Sequence, residues 1–443
     1  MPYSQIQFSA IKQELANRLN DPTKTRYVDS ELGLYIQDAI RFWNCLTGEF
    51  KQVWPLQVNP GIVWYDLQTL NQTPVSPRLA TVTDRDVYTR IMYQLLEGSS
   101  STAVPVTNQF TQDDIIQSVQ RKRDEFIFRT GCTSVVESLP VTPNTETLIL
   151  PQTVIQVRRS YWLPIAIPGF SSTASPVFKN DEYATAAYGA SLAVTPGTPV
   201  GFSPSMEPQL TLDMTPPPDR PGNLECLTIE SQAALSAAQA TTLLMPSDFI
   251  QAIQWGALAD IYAMSQQKQD ATRAAFCNQR YEEYVALMQY YAFVYSARVN
   301  GLPVFVDAVE TLDYYAPNWR NLSVQPQIVG ISGKNLVAFP TSQAAQITLM
   351  LCANAVLPIN DTDFIQLGIE VIDAVLDEAQ STAMQKCGGQ EAVIAGNLHG
   401  NMIKLAAKKR DKIRAMSIFS DILYGVSMRE DKFIPQEVEA VQN

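Results

Sequence analysis

The chain has 443 residues, 46% hydrophobic and 17% charged, with 44 acidic against 32 basic side chains, one histidine and a formal net charge of −12. That length exceeds one ordinary core and predicts two or three domains, while the apolar fraction excludes a disordered chain. The acidic balance argues against a general nucleic-acid binder, which needs a basic surface to neutralise phosphates, but it allows a channel whose walls do not hold DNA. No run of about 18 apolar residues occurs, so no transmembrane helix is expected. The opening MPYSQIQFSAIKQEL lacks the basic-then-apolar order of a secretory signal. The composition is rich in uncharged polar residues, as in surfaces that lie against neighbouring subunits.

In chain order, residues 4–19 place Ile6, Ile11, Leu15 and Leu19 near one side of a first helix. Asp29 is expected to cap a second, through Leu46, with Leu32, Tyr35, Ile36, Ala39, Ile40 and Trp43 as its stripe and Gly48 as its stop. Strands follow at 52–58 and 62–67 around the turn Asn59-Pro60-Gly61, then a helix at 84–97 and a small, polar linker at 98–107. Residues 111–130 then repeat the earlier pattern: helix, glycine stop at Gly131, strand, proline turn, strand. Thr47-Gly48 matches Thr130-Gly131, Val58 matches Val141 and Pro60 matches Pro143, each 83 positions apart (131 minus 48, 143 minus 60). A duplication of this unit and a chance recurrence of a common pattern both fit. Further strands are expected at 155–163, 209–214 and 224–230. The Ser-, Pro- and Gly-rich stretch 164–208 between them reads as a long loop or arm.

Residues 244–298 read as two helices folded back on each other. Ser247 is the expected cap. Ile250, Ile253, Ala257, Ile261 and Met264 line one helix, and Phe276, Tyr284, Leu287, Met288, Tyr291 and Tyr295 the other. A proline, the acid-aromatic pair Asp248-Phe249, AIQWGAL from Ala252 and TRAAFCNQRYEEYVALM from Thr272 resemble the helical hairpin of tailed-phage head-to-tail adaptor proteins. The resemblance is weaker over 26–67 and 110–163 and ends before Pro303. It implies a virion structural protein of the neck, assembled in the host cytoplasm as a homo-oligomeric, twelve-subunit ring. Such a ring meets the portal protein on one face and tail or tail-fibre proteins on the other. It surrounds double-stranded DNA without sequence specificity.

Beyond the hairpin, 303–324 is an aromatic crossover, and 327–331, 336–339 and 346–352 alternate like strands. Asp363-Phe364-Ile365-Gln366 then repeats Asp248-Phe249-Ile250-Gln251, and is expected to open a helix to 386 followed by another at 391–419. Strands followed by a helical pair thus occur twice. Residues 421–443 read as a polar, acidic tail.

Chemistry is sparse. His399 alone offers little scope for acid/base or metal work. Gly330-Ile331-Ser332-Gly333-Lys334 has the wrong spacing for a phosphate loop and reads as a hairpin turn. Cys45, Cys132, Cys226, Cys277, Cys352 and Cys387 form no CxxC and read as buried free thiols. No enzyme, cofactor or metal is therefore expected. Trp255, beside Gly256, is either a core tryptophan or an interface anchor. Arg273, Arg280 and Glu283 either hold neighbouring subunits in register or form a solvated face. Lys404, Lys408, Lys409, Arg410, Lys412 and Arg414 form the one dense basic run, facing DNA, an acidic partner or solvent.

The expected fold class is α+β: antiparallel helical bundles with β-rich inserted subdomains in tandem, partly duplicated units. The expected domains are 1–98, 99–301 (with the 164–208 loop and the 247–298 hairpin), 302–420 and a tail at 421–443. A tail-tube or fibre-attachment protein, or a hydrolase using carboxylates, are the alternatives to the adaptor.

Overall fold

The computed structural model describes residues 6–59, 64–67, 83–95, 110–165, 175–179, 195–205, 210–235, 241–243, 245–264, 270–290, 294–309, 311–312, 328–332, 335–339, 345–386 and 389–424. The linker expected at 98–107, Cys387 and residues 425–443 of the expected tail lie outside them.

Local signals set the helix ends. Thr111 and Asp114 form a reciprocal capping box: the Asp114 N–H donates to the Thr111 hydroxyl at 3.2 Å, and the Thr111 N–H donates to the Asp114 carboxylate at 3.1 Å. Thr83 and Asp86 do the same for the helix Asp84–Gln94. The helices Asp29–Thr47 and Gln112–Thr130 stop at Gly48 and Gly131, at φ of 61° and 65°. There a Cβ would be strained, and each glycine N–H reaches back four residues at 2.7 Å. Asp29 is not a cap. Val28 holds that position, and Lys12 and Lys24 both bind the Asp29 carboxylate, which draws it away from the helix end.

Among the described residues the strands form two seven-stranded sheets. The first runs β1 (Lys51–Val58), β14 (Ala345–Cys352), β10 (Val294–Val299), β11 (Leu302–Ala308), β12 (Ile328–Ser332), β13 (Asn335–Phe339), β2 (Trp64–Asp66). The second runs β3 (Val135–Val141), β9 (Gly222–Glu230), β5 (Val154–Pro164), β6 (Ser175–Lys179), β7 (Gly201–Ser205), β8 (Thr211–Thr215), β4 (Thr147–Ile149). Order and direction agree strand for strand. Each sheet has a single parallel pair, β11–β12 in one and β6–β7 in the other.

The registers also agree. Val58 faces Ala345 where Val141 faces Gly222, and Phe305 faces Ile328 where Phe178 faces Gly201. The 83-position offset holds from Asp29 and Gln112 to Asp66 and Ile149. In each sheet the two edge strands are also chain neighbours. Six residue steps separate Val58 from Trp64, a reach of about 20 Å, whereas seven flat strands would set their edges about 29 Å apart. Each sheet must therefore curl toward closure, which strand twist favours.

Helices complete the duplication. With the first sheet go α1 (Phe8–Arg18), α2 (Asp29–Thr47), α7 (Ile369–Gln385) and α8 (Gly389–Lys409). With the second go α3 (Asp84–Gln94), α4 (Gln112–Thr130), α5 (Ile250–Met264) and α6 (Ala271–Tyr290). The same pairs touch within each set: α1 with α2 as α3 with α4, α2 with α7 as α4 with α5, α7 with α8 as α5 with α6. The second copy lies inside the first, between β2 and β10. Short helices α9 (Asp411–Ala415) and α10 (Ser420–Tyr424) follow α8. The helices of both copies share one apolar core, the second sheet has its own, and a third cluster joins the two sheets.

Several sequence expectations change. Parts of 164–208 are strands, β6 and β7, which bury Val177 and Phe202; prolines and short length hid their alternation. The crossover at 303–324 begins as β11. Asp363 to Gln366 precede their helix: Phe364 bridges Gln7 and is exposed, while Phe249 is buried. Ser247 opens a 3-10 turn, Met264 is exposed, and Tyr295 belongs to β10.

Candidate functional site

The most concentrated charge lies where the two copies meet. Helix α6 crosses α2, α7 and α8 and brings Arg280 and Glu283, one turn apart, to Glu378 and His399; all four are buried. Arg280 donates to Glu378, to Glu283 at 3.3 Å and contacts the His399 ring. His399 Nδ1 lies 2.8 Å from Glu378 Oε2 and its Nε2 3.0 Å from Glu283 Oε2. The Arg280 guanidinium also sits over the Phe42 ring at 4.6 Å. Burial opposes charge on both carboxylates, but His399 and Arg280 overcome it and hold them below the usual range. Burial and Arg280 likewise disfavour a charged imidazole, yet Glu283 and Glu378 raise His399 above its ordinary 6.5. Two cations against two carboxylates leave the cluster balanced when His399 is protonated.

Further polar contacts cross the same junction. Asn44 Nδ2 donates to buried Asp248 at 2.5 Å, and burial pushes that carboxyl up to about 6. Arg90 of α3 binds Asp38 of α2 at 3.0 Å. Gln94 of α3 donates to the Thr382 carbonyl at 3.0 Å. Between the sheets Trp64 packs on Tyr161 with ring centroids 5.3 Å apart, beside Val337. Glu378, Asp38 and Arg90 were not singled out from the sequence. Arg280 and Glu378 stand 98 positions apart, Glu283 and His399 116, and no local pattern joins them.

Trp255 is 1% exposed, edge-on to Phe276 at 5.9 Å and under the Arg280 guanidinium at 5.6 Å. At Gly256 what comes close is the Tyr281 ring and the Lys122 stem, 2.9 and 3.0 Å from where a Cβ would stand. Arg273 lies apart from the cluster, paired with Asp270 at 3.2 Å and over the Tyr262 ring. Glu282 points the other way from Glu283 and binds Arg129 of α4 at 2.6 Å.

The basic run is divided. Helix α8 ends at Lys409, and Arg410, extended at φ −140°, breaks it from α9. Lys409 pairs with Glu370 at 3.3 Å and covers Trp43, which ties α8 to α7 and α2, while Arg410 donates to the Leu46 carbonyl of α2 at 3.1 Å. Arg414 donates to the Ala407 carbonyl at 2.7 Å. Lys404, Lys408 and Lys412 are exposed and form no ion pair among the described residues.

Among the described residues no group of His, Cys, Asp and Glu could hold a metal ion, and no helix is long and apolar enough to cross a membrane. Cys45, Cys132, Cys226, Cys277 and Cys352 are buried free thiols. Residues 86–301 match the family model described as SU10 adaptor protein. The match begins in α3 and ends at the β10–β11 turn, so it spans nearly the whole inner copy. No curated protein matches the chain.

Proposed function

Residues 86–301 belong to the SU10 adaptor protein family of head-to-tail adaptors, and from that premise we propose that the whole chain forms a ring in the virion neck, with the portal on one face and the tail on the other. The family match carries this reading, and the second copy of the same architecture around the matched unit extends it to the rest of the chain. In each copy the helices make an antiparallel bundle that supports the curled sheet. Twelve chains is the stoichiometry that the resemblance implies. A closed ring needs head-to-tail contacts whose rotation returns to the start. The net charge of −12 suits a conduit that double-stranded DNA passes without sticking. Neither catalysis nor a cofactor is needed for this work. Arg280 and Glu283, expected either between neighbouring subunits or on a solvated face, are buried inside one chain, where they join its two copies, with Trp255 packed beneath Arg280 and Arg273 bracing the hairpin. Size-exclusion with negative-stain imaging tests the ring: particles with a central hole are expected, and a small monomer with a cleft would favour a hydrolase instead.

The exposed lysines Lys404, Lys408 and Lys412, with Arg414 beside them, are the basic girdle toward DNA or an acidic partner face. Changing the three lysines to Gln should leave rings intact. Altered, salt-dependent DNA retention would identify a DNA contact. Failure to dock on the portal or tail would identify a partner contact, and no change in either would leave a solvated face.

A further inference from the structure

The two copies within one chain do not meet through equivalent surfaces. The outer copy contributes α2, α7, α8 and the β2–β13 end of its sheet. The inner copy contributes α3, α6, the turn Ser247–Phe249 and the β5 face of its sheet. This is a head-to-tail contact, and such a contact leaves the complementary surface of each copy unused, apart from α6 and α8, which engage each other. The unused surfaces are the α4 side and β4–β8 end of the inner copy, and the β10 face with the segment leading into α7 on the outer copy.

The common register says what those surfaces carry. In the internal contact Trp64, with its strand neighbour Val337, packs on Tyr161. Trp64 corresponds to Thr147, whose strand neighbour is Asp213. Tyr161 lies opposite Glu225, three places along from Gly222. Its counterpart lies opposite Thr348, three along from Ala345, and is Arg298. Asp213 and Arg298 are both exposed, are opposite in charge, and form no ion pair among the described residues. At the helical end, Cys45 of α2 touches the Asp248 carbonyl in the turn that leads into α5. Its counterpart 83 positions on is Phe128, 48% exposed on α4; Phe364 in the segment that leads into α7 is 53% exposed and Ile369, the first residue of α7, 65%. The counterpart of Asp248 is Asp363, whose carbonyl already accepts from the Phe8 N–H, so what is left in water is Phe128 at one matching position and Phe364 and Ile369 beside the other. Large apolar side chains exposed in this way mark a surface that another surface covers.

We propose that neighbouring chains dock by repeating the contact made inside one chain: the inner copy of one chain sits on the outer copy of the next, with Asp213 facing Arg298 and Phe128 packing on the segment around Phe364 and Ile369. The partner is a second copy of this chain, and the ring then carries two units per chain. The inference rests on the ring reading above.

Charge exchange in the full-length chain tests it, with assembly measured by light scattering, alone and with portal rings, and folding by circular dichroism and melting. Asp213→Arg and Arg298→Asp should each melt like the wild type but lose the ring species, and the two together should restore it. Phe128→Glu should also lose rings without lowering the melting temperature, because the side chain is half exposed in the single chain. Intact rings in all three single variants would overturn this inference and leave the adaptor reading standing. The same holds if rings stay lost in the double variant. A wild type that forms no ring under either condition would overturn both. If the variants assemble but fail only to bind the portal, these residues face the portal and the repeat is wrong.

Discussion

Four buried side chains, Arg280, Glu283, Glu378 and His399, set a guanidinium and an imidazole against two carboxylates away from water. Removing one partner from such a set costs about 3–5 kcal/mol, because the others are left buried and unpaired. Arg280→Met should therefore lower stability by roughly that amount in chemical denaturation, whereas the exposed Lys404→Met should change it by less than about 0.5 kcal/mol. His399 adds a pH dependence whose sign is fixed. Its folded pKa is raised above the ordinary 6.5, so its contribution is complete below 6.5 and is lost as pH rises through the folded value. The melting temperature should fall from pH 6 toward alkaline pH more steeply in the wild type than in His399→Gln. Parallel curves for the two would show that the imidazole does not hold a proton in the folded chain.

The helices owe their ends to short-range chemistry and their stability to burial. Thr111 supplies half of the capping box of α4, and Thr111→Ala should cost about 1 kcal/mol in an unfolding midpoint at unchanged m-value. Helix α5 is buried on nearly every side, since α3, α4 and α6 all pack on it. Its sequence pattern suggested a single apolar stripe, but Gln251 and Gln254 are buried too, and Tyr284 donates to Gln251. Ile253, in its first turn, has no exposed surface, so Ile253→Asp should cost several kcal/mol and leave little soluble folded protein. Wild-type melting in that variant would refute the burial of this face.

At the level of the molecule, one copy of the architecture interrupts the other. Strand β1 finds its partner β14 almost three hundred residues later, and α2 packs on α7 across the same gap. A fragment of residues 1–301 would keep the family-matched copy intact but take α7 and α8 away from α2, opening Phe42 and Trp43 on the side that His399 and Lys409 cover. It should aggregate on expression, whereas residues 83–301 alone should stay more soluble despite being shorter. Equal solubility of the two would argue that the outer copy folds without its C-terminal strands and helices.

Periods and glycine stops act over a few residues, so they were legible in the sequence: α2, α4, their stops at Gly48 and Gly131, the paired helices α5 and α6, and the 83-position echo between the copies; the caps expected at Asp29 and Ser247 were not. The family resemblance rested on that same local helix pattern. Tertiary structure alone decided the rest. Val177 and Phe202 are core residues of strands too short and proline-broken to announce themselves. Lys409 and Arg410 spend their charge on Glu370 and the Leu46 carbonyl while Lys404 and Lys408 stay in water. Arg280 meets His399 and Glu378 only because α6 crosses α7 and α8. The reason is one of range: a helix cap is satisfied within its own turn, whereas a buried charge is satisfied by whichever distant segment the packing of the two copies brings to it.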